Sequence, residues 1–143
     1  MNREAIMQAL LTLVSESAGF VTIGRRLEWV AKVAGLPALY VIATDNEYQQ
    51  HGTTFPPRRT IGAEIWVYAA TDLQQPPGAQ LNPLIDAIEA ALGVMPGQAQ
   101  TLGGLVVHCW IGGDDGQKAR IEIFEGHASS RAAAIIPVRI LVP

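Results

Sequence analysis

The sequence predicts an α+β domain in which a mixed, mostly antiparallel sheet carries two helices packed on one face. Two segments place apolar residues at helical spacing, and runs of strand length lie between and after them. Of the 143 residues, 49% are apolar and only 16% are charged. We therefore expect residues 1–143 to form one domain with a substantial core, and the surplus of apolar residues favours a buried contact between subunits.

The first helix is predicted over Arg3–Ser15. Asn2 can cap its start, and Glu4 lies in the first turn, where the helix dipole favours negative charge. Gly19 is expected to stop it. The apolar stripe consists of Ile6, Met7, Leu10, Leu11, Leu13 and Val14.

Three strands are predicted in the first half of the chain. Phe20–Ile23 is a short one. Leu39–Thr44 is apolar on both faces, which is typical of a central strand that is covered on two sides. Over Thr60–Ala70, small or aliphatic residues alternate with larger or charged ones, which is typical of a strand with two different faces. Its residues that face one way are Ile61, Ala63, Ile65 and Val67, and those that face the other way are Glu64, Trp66 and Tyr68.

A long polar loop is predicted over Asp45–Arg59. The stretch contains Asn46, two glutamines, His51 and the Pro56-Pro57 pair, and it has no apolar periodicity. Long loops of this kind are either mobile or functional.

The second helix is predicted to begin at Asn82 as its N-cap, with Pro83 at the first helical position and Gly93 at its end. Its apolar stripe consists of Leu84, Ile85, Ile88 and Leu92.

The last third of the chain predicts three strands, Leu105–Ile111, Arg120–Phe124 and Ala132–Val142. In the first of them, Leu105, Val107, Cys109 and Ile111 are expected on one face. Pro137 lacks an N–H for a ladder, so we expect the last strand to lie at an edge of the sheet, or to be bulged or interrupted at the proline.

No catalytic, cofactor or metal site is predicted. His108 and Cys109 are neighbours on a strand and point to opposite faces, so they cannot form a nucleophile–base pair, and Cys109 is expected to be a buried small hydrophobe. His51, His108 and His127 are too scattered for a metal site. Asp114-Asp115-Gly116 lacks the alternating ligands of a calcium loop and predicts a turn. We therefore expect that the protein is not an enzyme.

The charge balance and the length of the apolar runs each exclude one further class. Ten basic residues stand against 13 acidic ones, a formal charge of −3, whereas generic nucleic-acid binding requires a basic surface. No apolar run reaches the roughly 20 residues of a membrane helix. The pairs Arg25-Arg26 and Arg58-Arg59 fit binding to a carboxylate or phosphate and a role as solubilising surface arginines equally well.

Several stretches, taken in order, resemble the tail-terminator, or minor tail U-type, proteins of long-tailed bacteriophages and prophages. The stretches are Arg3–Ile6, Leu36–Val41, Trp66–Tyr68, Leu81–Glu89, Gln100–Val106 and Ile136–Pro143. The resemblance implies a small α+β subunit, made in the cytoplasm of a bacterial host, that forms a hexameric ring on the virion tail. Such a ring ends polymerisation of the tail-tube protein and presents a surface to a head-completion or neck protein. It implies no catalytic residues.

A cyclic ring joins one patch of each subunit to a different patch of its neighbour, and strand edges and polar loops are ready contact surfaces. We therefore expect contacts with a neighbouring subunit or the tube at the last strand and at the predicted loop. The individual residues expected to make protein contacts are Arg25, Arg26, Tyr48, His51, Phe55, Arg58 and Arg59.

Three alternatives remain open at the level of sequence. The first is another head–tail completion protein, which would also be a ring-forming subunit. The second is a small-ligand-binding module with an enclosed apolar cavity, and the third is a small enzyme that uses His108 or an arginine pair.

Overall fold

The computed structural model describes residues 2–50, 52–53, 56–71, 74–76, 78–113, 119–126 and 130–143. A 3-10 turn occupies Val30–Lys32. The regular elements are α1 (Arg3–Ser15), β1 (Thr22–Gly24), β2 (Ala38–Gln49), β3 (Arg58–Ala70), α2 (Gly78–Leu92), β4 (His108–Ile111), β5 (Glu122–Gly126) and β6 (Arg131–Val142).

The strands form one sheet in the order β1-β2-β3-β6-β4, and β5 also pairs with β6. Among the described strands, β1 and β2 pair in parallel and the other pairs are antiparallel. Both helices contribute to the core on one face of this sheet. The prediction of an α+β fold with a mixed, mostly antiparallel sheet is thus confirmed.

The core lies between the helices and the sheet. At its centre is a row of three fully buried side chains from adjacent strands, Val41, Ile65 and Ile136. Helix α1 has the predicted bounds, and the Asn2 side chain caps it by accepting from the Ala5 amide at 3.1 Å. The alternation predicted for β3 is also confirmed. The burial of both faces predicted for Leu39–Thr44 holds at Leu39–Val41 but not at Ala43 and Thr44, which are exposed.

The prediction that the last strand lies at an edge is wrong, because β6 lies between β3 on one side and β4 and β5 on the other. The pairing with β5 ends at Ile135 and that with β4 begins at Val138, so Pro137 lies where the neighbouring strand changes. Its carbonyl accepts from the Gly112 amide at 3.0 Å. The backbone nitrogen and oxygen of a strand residue point to the same side, so the Pro137 nitrogen faces β4 and β5, at the point where one strand replaces the other. The missing N–H therefore removes no regular ladder hydrogen bond.

The predicted loop over Asp45–Arg59 is also largely wrong. Strands β2 and β3 stay paired from Asn46↔Ile61 to Gln49↔Arg58, with a bulge between Ala43 and Asn46. Polar residues occur here because this end of β2 is exposed. The β2 backbone is hydrogen-bonded to β3 here, and β3 is in turn paired with β6 as far as Arg59↔Val142.

Helix α2 begins at Gly78, four residues before the predicted cap at Asn82, and Pro83 therefore lies inside it. The earlier start places Leu81 in the core, where its side chain is fully buried. Burial of a leucine stabilises by about 2 kcal/mol, which offsets part of the cost of a proline inside the helix.

Strand β4 begins at His108 and not at Leu105, because residues 102–105 form turns. Leu105 and Val107 are consequently 41% and 47% exposed and do not share the buried face of Cys109. The bounds of the other strands differ from those predicted by at most two residues, apart from the C-terminal end of β2.

Candidate protein-interaction surface

The sheet face opposite the helices, here called the open face, is covered only in part. Residues 25–36 cross it at the Tyr68 end of β3. The side chains buried beneath or beside this segment are Val33, Ala38, Tyr40, Tyr68 and Ala133.

Two polar side chains of the sheet hold the covering segment in place. The Arg131 guanidinium donates to the carbonyls of Val30 and Val33, at 2.7 and 2.6 Å. The Tyr68 hydroxyl donates to the Glu28 carbonyl at 3.0 Å. Burial, with smaller contributions from Tyr40 and Glu28, raises the pKa of Tyr68 to about 12.

An aromatic groove of about 450 Å³ lies between this segment and the sheet. Its lining comes from three parts of the chain: Leu27, Glu28, Trp29 and Val30; Trp66 and Tyr68; and Phe124 and Ala133. Trp29 is 70% exposed and Phe124 50% exposed. Clustered exposed aromatic side chains are typical of protein-contact surfaces.

The wall of the groove contains an indole nitrogen that lacks a hydrogen bond. Among the described residues, Trp66 Nε1 and Arg25 Nε are the buried side-chain nitrogens without a partner. A buried donor left unpaired destabilises the structure by about 1–3 kcal/mol. The groove wall thus contains a buried N–H donor without a hydrogen-bond partner, next to exposed apolar surface.

One acidic side chain lines the groove and two more lie beside it. Glu28 lines it, and its side chain accepts from the Trp29 amide at 3.0 Å. Glu64 lies two residues from Trp66 on the same face of β3. Burial and the negative charge of Glu122 raise the pKa of the Glu64 carboxyl, which places these two carboxylates near each other.

The other end of the open face carries an ion-pair cluster. The Arg139 guanidinium contacts the Asp45 and Glu47 carboxylates, each at 2.8 Å, and the arginine side chain is only 12% exposed. It reaches β2 by crossing over Gly62, its partner on β3. A side chain at this position would occupy the space of the ion pair, so the Asp45 and Arg139 side chains would have to shift.

We predict that Gly62→Ala lowers the free energy of unfolding by about 1–2 kcal/mol. The added Cβ would overlap Asp45 Oδ1 and lie 2.5 Å from Arg139 Nη1, so the ion pair must shift. Urea denaturation measures the loss. Gly19→Ala is the matched control, because a Cβ at that position meets nothing within 4 Å. Equal stability of the two variants would contradict the prediction.

The residues predicted to make contacts fall in two places. Arg58 and Arg59 begin β3, and Tyr48 lies opposite Arg59 on β2. Arg59 donates to the Pro143 carbonyl, and Arg3 of α1 donates to the Tyr48 hydroxyl.

Arg25 lies just past β1 and pairs with Glu4 at 2.7 Å, and Arg26 is exposed. His51 and Phe55 lie outside the described residues. The first turn of α1 therefore contacts Arg25 through Glu4 and Tyr48 through Arg3. None of the predicted contact residues within the described ranges lines the aromatic groove.

The groove itself was not predicted from the sequence. Its side chains come from segments far apart in the chain, and only the outward position of Trp66 and Tyr68 on an alternating strand indicated an apolar surface away from the helices.

The His108 and Cys109 side chains lie on opposite faces of β4, as predicted. Cys109 is buried in the core, and burial raises the pKa of its thiol to about 12. The His108 ring stacks on Trp110 at 5.4 Å, and its Nδ1 accepts from the Gln100 amide at 3.1 Å. The described residues contain no group of three or more histidine, cysteine or acidic side chains able to hold a metal ion, and no helix within them is long and apolar enough to span a membrane.

The fold is similar to that of a solved chain from the virion of a native gene transfer agent (GTA) particle. The TM-score is 0.58 and the sequence identity is 12%, over 98% of this chain and 96% of that chain. The likeness establishes a shared fold. No protein-family model matches the sequence, and no curated protein matches it either.

Proposed function

We propose that this chain is a structural subunit of a phage-like virion, and specifically a tail terminator, which caps the tail tube as a hexameric ring. Its partners are further copies of itself, the tail-tube protein and a head-completion or neck protein. Residues 1–143 act as one domain, made in the bacterial host cytoplasm and incorporated into the virion tail.

The observation that carries this proposal is the fold likeness, which spans nearly the whole of both chains. The GTA particle is a virion, so its chain is a component of a large protein assembly. The resemblance of the sequence to tail terminators supports the same role from an independent direction.

The surface of the subunit also suits assembly. A ring needs two different contact patches on each subunit. The aromatic groove lies at the Tyr68 end of the open face, and the basic Arg58–Arg59 end of β3 is a separate patch at the other end of the same strand.

No covalent step belongs to this function. The Cys109 thiol is buried and protonated, and a protonated thiol is a poor nucleophile. The His108 Nδ1 atom is engaged by a backbone amide and does not face Cys109 across the strand. The subunit acts by the shape and chemistry of its contact surfaces.

Deletion of the gene tests the proposal. Particles produced without this protein should carry tails of excessive and variable length in negative-stain electron micrographs, because nothing ends tube growth. Expression of the wild-type chain from a plasmid should restore uniform tails. Normal-length tails that fail to join heads would contradict the terminator role and favour a head–tail completion protein, and normal particles would contradict both.

A further inference from the structure

The aromatic groove has the chemistry of a site for an extended, proline-containing segment. Grooves lined by tryptophan, tyrosine and phenylalanine bind such segments because proline rings pack against aromatic faces. Trp29, Trp66, Tyr68 and Phe124 supply four aromatic side chains here, of which Trp29 and Phe124 are substantially exposed.

The chain itself carries a segment of this kind. Pro56 and Pro57 are exposed and lie immediately before the first residue of β3. Consecutive prolines restrict the backbone to extended conformations, so little conformational entropy is lost on binding. Arg58 and Arg59 follow directly, which makes the segment basic.

The charges of the two surfaces are complementary. The basic segment has two arginines, whereas Glu28 lines the groove and Glu64 and Glu122 lie close to one another beside it. Opposite charges at the rim of an interface fix its register and speed association.

The two surfaces of one molecule cannot meet. Arg58 and Trp66 are residues of the same strand and share a face, eight positions apart. At a rise of about 3.3 Å per residue, they are separated by about 26 Å of rigid, fully paired sheet. The groove can receive a Pro56–Arg59 segment only from another molecule.

We infer that the aromatic groove is the acceptor site for the Pro56–Arg59 segment of a second copy of this chain. The inference rests on the proposed function, since it names the contact by which neighbouring subunits of the ring recognise each other. The contact is head-to-tail, with Pro56 and Pro57 against Trp29 and Phe124 and with Arg58, which lies on the open face of β3, towards the acidic side chains. Repetition of such a contact generates a ring when the rotation between subunits closes.

A synthetic peptide of residues 53–60, carrying a fluorescent label, tests the acceptor site directly. Fluorescence anisotropy with the full-length protein, below the concentration at which it self-associates, should show saturable binding. Trp29→Ala should weaken binding about tenfold or more, as expected of an aromatic contact residue. Met95→Ala is the matched control, because Met95 is equally exposed but does not line the groove, and it should leave binding unchanged.

Changes in the peptide test the donor segment. Replacement of both Pro56 and Pro57 by alanine should abolish measurable binding, and glutamate at both arginine positions should weaken it at least tenfold. Equal binding of all peptides, or of the Trp29→Ala and Met95→Ala proteins, would overturn the inference.

Disulfide trapping tests the contact in the intact protein. A chain carrying both Pro57→Cys and Phe124→Cys should give a ladder of covalent oligomers on oxidation, whereas each single variant should give no product beyond a dimer. Cys109 is buried and should not react. A double variant that also stops at the dimer would overturn the inference.

The outcomes separate the inference from the proposed function. Absence of peptide binding and of the ladder, together with overlong tails on gene deletion, overturns the contact and leaves the terminator role in place. Peptide binding and a ladder, together with normal tails on gene deletion, establish the contact and reject the terminator role.

Discussion

Ile65→Ala should lower the free energy of unfolding by about 3–4 kcal/mol. Ile65 is completely buried at the middle of β3, between Val41 on β2 and Ile136 on β6, and the helices cover all three. Truncation removes the burial of three carbon atoms and leaves a cavity that two rigid neighbouring strands cannot close. This is a large part of the 5–15 kcal/mol by which a domain is usually stable.

Thermal unfolding followed by circular dichroism measures the effect, which corresponds to a fall in Tm of about 10 °C for a chain of this length. Ile123→Ala is the matched control. Ile123 is also an isoleucine in a strand that pairs with β6, but it is 46% exposed, so its truncation should change the stability by less than about 1 kcal/mol. Comparable losses in the two variants would mean that the core is not centred on β3.

Arg131→Met should lower the free energy of unfolding by about 2 kcal/mol and loosen residues 25–36. Its guanidinium bonds the Val30 and Val33 carbonyls, and methionine keeps much of the side-chain volume but none of the donors. The two carbonyls are then left without their charged partner. Since Trp29 belongs to the same segment, the aromatic groove should lose its shape.

Urea denaturation measures the loss, and amide hydrogen exchange should be faster within residues 27–33 than in the wild-type chain. Arg26→Met is the control, because Arg26 is an exposed arginine of the same segment. It should leave both measurements close to wild type. Unchanged exchange in the Arg131→Met variant would contradict the assigned role of these hydrogen bonds.

The sequence predicted the elements whose patterns are local. The α1 stripe and its Asn2 cap required only the spacing of residues along the chain, and the alternation of β3 matched the two faces of a strand. The double burial of β2 at residues 38–41 followed from its apolar run, since one face packs on the helices and the other lies beneath residues 25–36.

The errors arose where tertiary contacts decided the outcome. Pro137 is compatible with an interior strand because the neighbouring strand changes beside it. The polar residues after Thr44 form a strand because β3 supplies a ladder for them, and α2 begins early because Leu81 reaches the core. None of these conditions is visible in a local window of sequence.

The aromatic groove could not be predicted for a similar reason. Trp29 precedes a 3-10 turn, Trp66 lies on a central strand and Phe124 on a short outer one. Only the sheet order places them together. Arg58 and Arg59 were predicted as contact residues because basic pairs are conspicuous in a chain with few charges, and their contacts stay a prediction.

The interior position of β6 has a consequence for the biosynthesis of the protein. Residues 131–142 contribute the strand that joins β3 to both β4 and β5. Before residues 131–142 have been synthesised, the edge of β3 that pairs with β6 has no partner strand, and β4 and β5 have no strand with which to pair. The complete sheet therefore cannot form until residues 131–142 have been synthesised, and a translation product that stops before them lacks the strand that connects β3 with β4 and β5.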